Sequence, residues 1–78
     1  MAECDTEEEL DLSGLLCPLP VFKARKRLEA MAAGKILKVI ATDPMSAMDM
    51  AHFCNEQGHE FLEQWQEAKT LIFRIKRR

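Results

Sequence analysis

The sequence predicts a two-layer α/β sandwich in β-α-β-α-β-β order, with a four-stranded mixed sheet and two helices on one face. Three features predict it. An alternating segment and a β-branched apolar run flank a stretch of helical periodicity. A second helical stretch opens at Thr42-Asp43-Pro44, and two further strand-like segments follow in succession. With 78 residues the chain is one domain, and two helices cannot cover both faces of four strands, so both belong on the same side.

Glu9-Leu10-Asp11-Leu12 alternates in polarity, as a half-buried strand does. Residues 1–8 read as an acidic tail, and residues 9–78 as the folded domain. Ser13-Gly14 interrupts the strand and starts a loop. The spacing then predicts a helix from Pro18 to about Ala33, with Val21, Ala24, Leu28 and Met31 as its inner face and Gly34 as its C-terminal cap. Ile36 to Ala41 is apolar and β-branched, a central strand. Asp43 suits the cap of the second helix and Pro44 its first position. That helix runs to about Gln57, stops at Gly58, and carries Ala47, Met48, Ala51 and Cys54 as its inner stripe. His59–Trp65 and Thr70–Lys76 complete the strands; the turn at Gln66-Glu67-Ala68 has no Gly, Pro or Asn to set its register.

Composition excludes several functions. Hydrophobic residues make up 47% of the chain, enough for one modest core but not for a deep private active site, so chemistry belongs at the surface with a partner's help. No apolar run approaches the ~20 residues that span a bilayer. The acidic start lacks the order of a secretory signal, and a cytoplasmic location is expected. Cys4, Cys17 and Cys54 are odd in number and widely spaced, which argues against a zinc ribbon, a CxxC dithiol and a disulfide framework. The net charge is −2, yet unevenly spread: five of 13 acidic residues precede position 10, and four basic residues fall within Lys23–Arg27. A basic surface meeting an acidic partner and a solvated helix face both fit that pattern.

Cys17 heads Cys17-Pro18-Leu19-Pro20 at the expected helix start. Unpaired backbone N–H groups and a partial positive charge at a helix N-terminus favour thiolate over thiol, and the thiolate is the nucleophile. The same donors suit a persulfide anion. Lys23, Lys26 and Arg27 add positive potential within a few turns and form a candidate partner-docking set. Pro18 and Pro20 stiffen the helix start without removing an intrahelical bond. A small, buried and inert cap is the competing reading, although Ser, Thr, Asp or Asn caps better than Cys.

Leu10-Asp11-Leu12-Ser13-Gly14-Leu15-Leu16-Cys17-Pro18-Leu19-Pro20, followed by Ala41-Thr42-Asp43-Pro44, resembles the TusA/SirA-like family. The resemblance reaches from about Glu9 to the C-terminus. It implies a sulfur carrier in which Cys17 takes sulfane sulfur from a cysteine desulfurase or rhodanese-like donor, holds it as a persulfide and relays it to an acceptor protein. The routes it implies are tRNA thiolation, molybdenum cofactor assembly and sulfur-oxidation trafficking. So read, the protein is a monomer that needs no metal or organic cofactor, and whether a covalent carrier counts as an enzyme is a matter of definition. A regulatory or RNA-binding module that keeps the fold is the alternative, supported by the basic residues and opposed by the absence of Tyr and of an aromatic pair on the sheet.

The remaining candidates read as follows. Cys54 is a packed core cysteine rather than a resolving thiol, and Cys4, among carboxylates, is a poor nucleophile. His52 and His59 share no metal-ligand spacing with a cysteine. Met45, Met50 and Phe53, off the expected inner stripe, form a docking patch or fold over the sheet rim.

Overall fold

The computed structural model describes residues 7–16 and 18–78. These form four strands and two helices: β1 (Glu7–Leu12), α1 (Leu19–Glu29), β2 (Ile36–Ala41), α2 (Ser46–Gln57), β3 (Glu60–Glu67) and β4 (Thr70–Lys76). The sheet order is β1-β2-β4-β3. β1 pairs parallel to β2, while β4 pairs antiparallel to both β2 and β3. The expected mixed sheet and element order are therefore present.

Register decides which side chains meet. Leu37, Val39 and Ala41 of β2 stand opposite Ile75, Phe73 and Leu71 of β4 on one face. Ala24, Leu28, Met50, Phe53 and Cys54 from the two helices join those residues in a single core cluster. Both helices therefore cover the same face, giving two layers around one core. Among the described residues, no helix covers the other face. There Arg74 bonds Glu7 at 3.1 Å and also pairs with Glu63, linking β4 to both edge strands. Ile72 is buried on this open side, in register with Ile40 and Trp65.

The boundaries differ from the expectations in instructive ways. β1 takes in Glu7 and Glu8, held by Arg74 and by Arg27 across to α1. α1 stops at Glu29, short of Ala33, and its cap is Ala30 in a right-handed conformation rather than Gly34. Arg77 donates to the Leu28 carbonyl at 2.7 Å, which satisfies a helix-end acceptor from the chain's far end. Gly34 instead donates to the Arg77 carbonyl, next to the Arg77-to-Lys35 bond.

α2 begins at Ser46, not Pro44. The Asp43 carboxylate accepts the Met45 N–H at 3.1 Å and the Asp43 carbonyl accepts the Ser46 N–H at 2.9 Å, closing a turn ahead of the helix. The buried face is Ser46, Met50, Phe53 and Cys54. Met48, expected inside, is 67% exposed, and Ala51 is exposed too. Met50 and Phe53 are core residues, so only Met45 of the proposed patch is exposed. Gly58 ends the helix as expected, left-handed at φ 79°, with its N–H on the Cys54 carbonyl. In β3 a bulge lies between Phe61 and Glu63. The hairpin turns at Ala68-Lys69, with Ala68 at φ 56°, a conformation its residue type does not advertise.

Candidate functional site

The parallel strands β1 and β2 end together, Leu12 beside Ala41. The chain leaves β1 into residues 13–16, and local bonds fix its path. The Asp11 carboxylate accepts the Ser13 hydroxyl at 2.6 Å and the Ser13 N–H at 3.0 Å. These two bonds hold the Asp11 carboxyl below the ordinary carboxylate range. Leu15 N–H donates to the Leu12 carbonyl. Gly14, at φ 85°, donates its N–H to Thr42 Oγ1 at 2.9 Å, tying the loop to the residue that follows β2. Thr42 belongs to the Ala-Thr-Asp-Pro stretch, yet its tethering role was not read from the sequence.

Cys17 lies outside the described residues, as does Cys4. Its neighbours are described. Leu16 is 69% exposed and Pro18 is exposed. The expectation that Cys17 caps α1 with Pro18 at the first helical position is corrected: Pro18 is the cap, and its carbonyl accepts the Phe22 N–H at 3.3 Å. Pro20 falls within the first turn and is buried. No acidic residue stands in that turn, whereas Lys26 and Arg27 stand in the last. The N-terminal end of the α1 dipole therefore meets no carboxylate on its own helix.

Of the basic docking candidates, Arg27 is engaged by Glu8 at 3.0 Å. Lys23 and Lys26 make no ion pair among the described residues. All three line a shallow groove with Leu10 and Ala30, on the β1 side of α1. Arg25 faces the other way, pairs with Glu29, and borders a groove between α1 and α2. That groove starts at Pro18 and is lined also by Phe22, Asp49, His52 and Glu56. Among the described residues, five of the six large exposed hydrophobics, Leu16, Leu19, Phe22, Met45 and Met48, lie on the loop, at the cap of α2 or in the first turns of the two helices. Met48 among them was expected on the inner stripe of α2.

Cys54 is 1% exposed, and burial pushes its thiol up to about 11. It is a packing residue. His52 lies on the surface beside Glu56 at 3.4 Å. His59 packs on the Phe53 ring and accepts the Arg78 N–H through Nδ1 at 3.1 Å. No group of three His, Cys, Asp or Glu suited to a metal occurs among the described residues. Among the described residues, no helix is long and apolar enough to cross a membrane. Ser46 Oγ, at the start of α2, is buried and has no hydrogen-bond partner among the described residues.

A family model described as "Sulfurtransferase TusA" matches residues 8–77. The chain belongs to the TusA family. It is 47% identical over 73 residues to "Sulfur carrier protein TusA" of Allochromatium vinosum, covering 94% of this chain and 96% of that one. To the protein of the same name from Pseudomonas putida strain GB-1 it is 41% identical over 78 residues, 100% of this chain and 98% of the other. Among solved structures, a SirA-like protein from Desulfitobacterium hafniense superposes with a TM-score of 0.78, at 23% identity, over 87% of this chain and 93% of that one. This last likeness concerns the fold. TusA-family membership and the two-layer sandwich agree with the resemblance carried by Leu10–Pro20.

Proposed function

We propose that the protein is a sulfur carrier that accepts sulfane sulfur on Cys17 as a persulfide and passes it to an acceptor protein. The relatives' shared name supports the carrier role. The observation that carries the residue assignment is the burial of Cys54. The matched span holds two cysteines, Cys17 and Cys54. Cys54 is sealed in the core with its thiol near 11, so it is neither accessible nor ionised at neutral pH. Cys17 stands between exposed Leu16 and Pro18, one residue before the cap of α1.

The chemistry is two displacements. The Cys17 thiolate attacks the outer sulfur of a donor R–S–SH; the new S–S bond forms as the old one breaks, and the donor leaves as R–S⁻. An acceptor thiolate then attacks the outer sulfur on Cys17, and Cys17 departs as thiolate. No net oxidation occurs, and the rates follow thiolate population, leaving-group pKa and access. The donor is a cysteine desulfurase or a rhodanese-like protein, and the reaction takes place in the cytoplasm. Cys17→Ser is expected to abolish sulfur loading, read as a mass increase of one sulfur atom, with an unchanged circular dichroism spectrum. Loading that persists in that variant contradicts the assignment.

A further inference from the structure

At the same end of the sheet as the site loop, the start of α2 and the β3–β4 hairpin enclose a second concavity. Its volume is about 410 Å³, and Thr42, Ala47, Gln64, Gln66, Lys69 and Leu71 line it. It shares no lining residue with the groove between the helices. Register places Gln64 and Gln66 opposite Phe73 and Leu71, on the helix side of β3, and both side chains are exposed there. Leu71 and Ala47 supply apolar wall.

The polar inventory is specific: one hydroxyl, two primary amides, one ammonium, and no carboxylate. Lys69 makes no ion pair among the described residues, and the nearby Glu67 carboxylate accepts the Trp65 indole N–H at 3.0 Å. Gln66 Nε2 donates to the Ala68 carbonyl at 2.8 Å, leaving its Oε1 as an acceptor. Beside the pocket, β3 is an edge strand. Its bulge at Phe61/Glu63 disrupts the distant half, while Gln64–Glu67 pairs regularly with β4 and leaves its outer backbone groups open. Thr42, which tethers Gly14, is also a wall of the pocket.

We propose that this pocket binds an extended, carboxylate-bearing peptide segment of a protein that exchanges sulfur at the neighbouring loop. The peptide backbone pairs with the β3 edge and the Gln64 and Gln66 amides, and the carboxylate meets Lys69. A single ammonium next to Glu67 suits one carboxylate and not a phosphate backbone, which several cations hold together. The partner's identity rests on the sulfur-carrier reading; the chemistry of the pocket does not.

The test is an amide-resolved NMR titration of the full chain with three hexapeptides of alternating serine and valine: one ending in a free carboxylate, one amidated with an internal glutamate, and one amidated and uncharged. The expected result is shifts at Thr42, Ala47, Gln64, Gln66, Lys69 and Leu71 with at least one charged peptide, the preferred one showing which carboxylate is read. Lys69→Glu should weaken that binding about tenfold or more, whereas Lys76→Glu, exposed at the far end of β4, leaves it within about twofold. Equal binding of the uncharged peptide, shifts confined to the groove between the helices, no shifts at millimolar peptide, or a short single-stranded RNA shifting the same residues would each overturn the proposal. Loading from inorganic polysulfide is measured alongside. Lys69→Glu should load as the parent does, and a failure of the parent to load counts against Cys17 and not against the pocket.

Discussion

Replacing Thr42 by Val keeps the branched shape of the side chain and removes the hydroxyl that receives the Gly14 N–H at 2.9 Å. An intramolecular hydrogen bond contributes about 1 kcal/mol net. Gly14 is exposed, so its freed N–H turns to water and no buried-donor penalty is added. The loss therefore falls on the loop's local equilibrium: about 1 kcal/mol, a roughly fivefold larger open population. Hydrogen exchange at the Gly14 amide should accelerate about fivefold, and the Leu15 amide, bonded to Leu12, should follow in part. Core amides such as those of Val39 and Phe73 should change by no more than the fall in global stability, which is at most about 8 °C in Tm for a domain of this size. Sulfur loading from a protein donor should slow, because the donor meets a loop that is less often in place. An unchanged Gly14 exchange rate would refute the tether, and a larger fall in Tm would show that Thr42 serves the core instead.

Three further outcomes follow from burial and charge. Met50→Ala should cost about 2–5 kcal/mol in chemical denaturation, as a fully buried large-to-small change does, while Met48→Ala stays within about 0.5 kcal/mol; the reverse order would restore the inner face expected from the sequence. Cys54, with its thiol near 11, should resist iodoacetamide in the native protein at pH 8 and react fully in denaturant, and rapid native labelling would contradict its sealed position. The His59 imidazole is held below its ordinary value of 6.5 by burial and by the charges of Arg77 and Arg78. A lowered folded pKa means that the unfolded chain binds the extra proton first. Stability from this group is thus intact above about 6.5 and declines as pH falls from there toward the folded value. Protonation at Nδ1 also ends its bond from the Arg78 N–H. His59→Gln should flatten that slope in pH-dependent thermal melts, and a slope unchanged by the substitution would remove His59 as its source.

Much of the fold was legible because its strands carry clean patterns. Ile36–Ala41 and Thr70–Lys76 declare themselves by β-branching and alternation, and Gly58 marks a helix end that only a left-handed residue closes comfortably. The face of α2 was not legible. Apolar residues occupy positions 45, 47, 48, 50, 51, 53 and 54, so two stripes fit the helical period equally well. The choice between them depends on how the Asp43 turn delays the helix to Ser46 and on where the sheet lies beneath it, and neither is local information. The end of α1 was misread for a similar reason: its acceptor at Leu28 is satisfied by Arg77, 49 residues away. Of the site, Cys17 and its prolines stood out as a motif. The Thr42 tether and the pocket at Lys69 did not, because the first needs β1 and β2 to end side by side and the second needs the β3–β4 hairpin to join β2 in one sheet. Among the three docking candidates, sequence placed Lys23, Lys26 and Arg27 together, and only the structure shows that Glu8 already holds Arg27.

The central claim is that sulfur resides on Cys17. Incubation with a cysteine desulfurase and free cysteine, followed by alkylation and peptide mapping under non-reducing conditions, tests it most directly. The account predicts one additional sulfur on the peptide containing Cys17 and none on the peptide containing Cys54. Sulfur on Cys54, or a Cys17 peptide that never gains it, would contradict it.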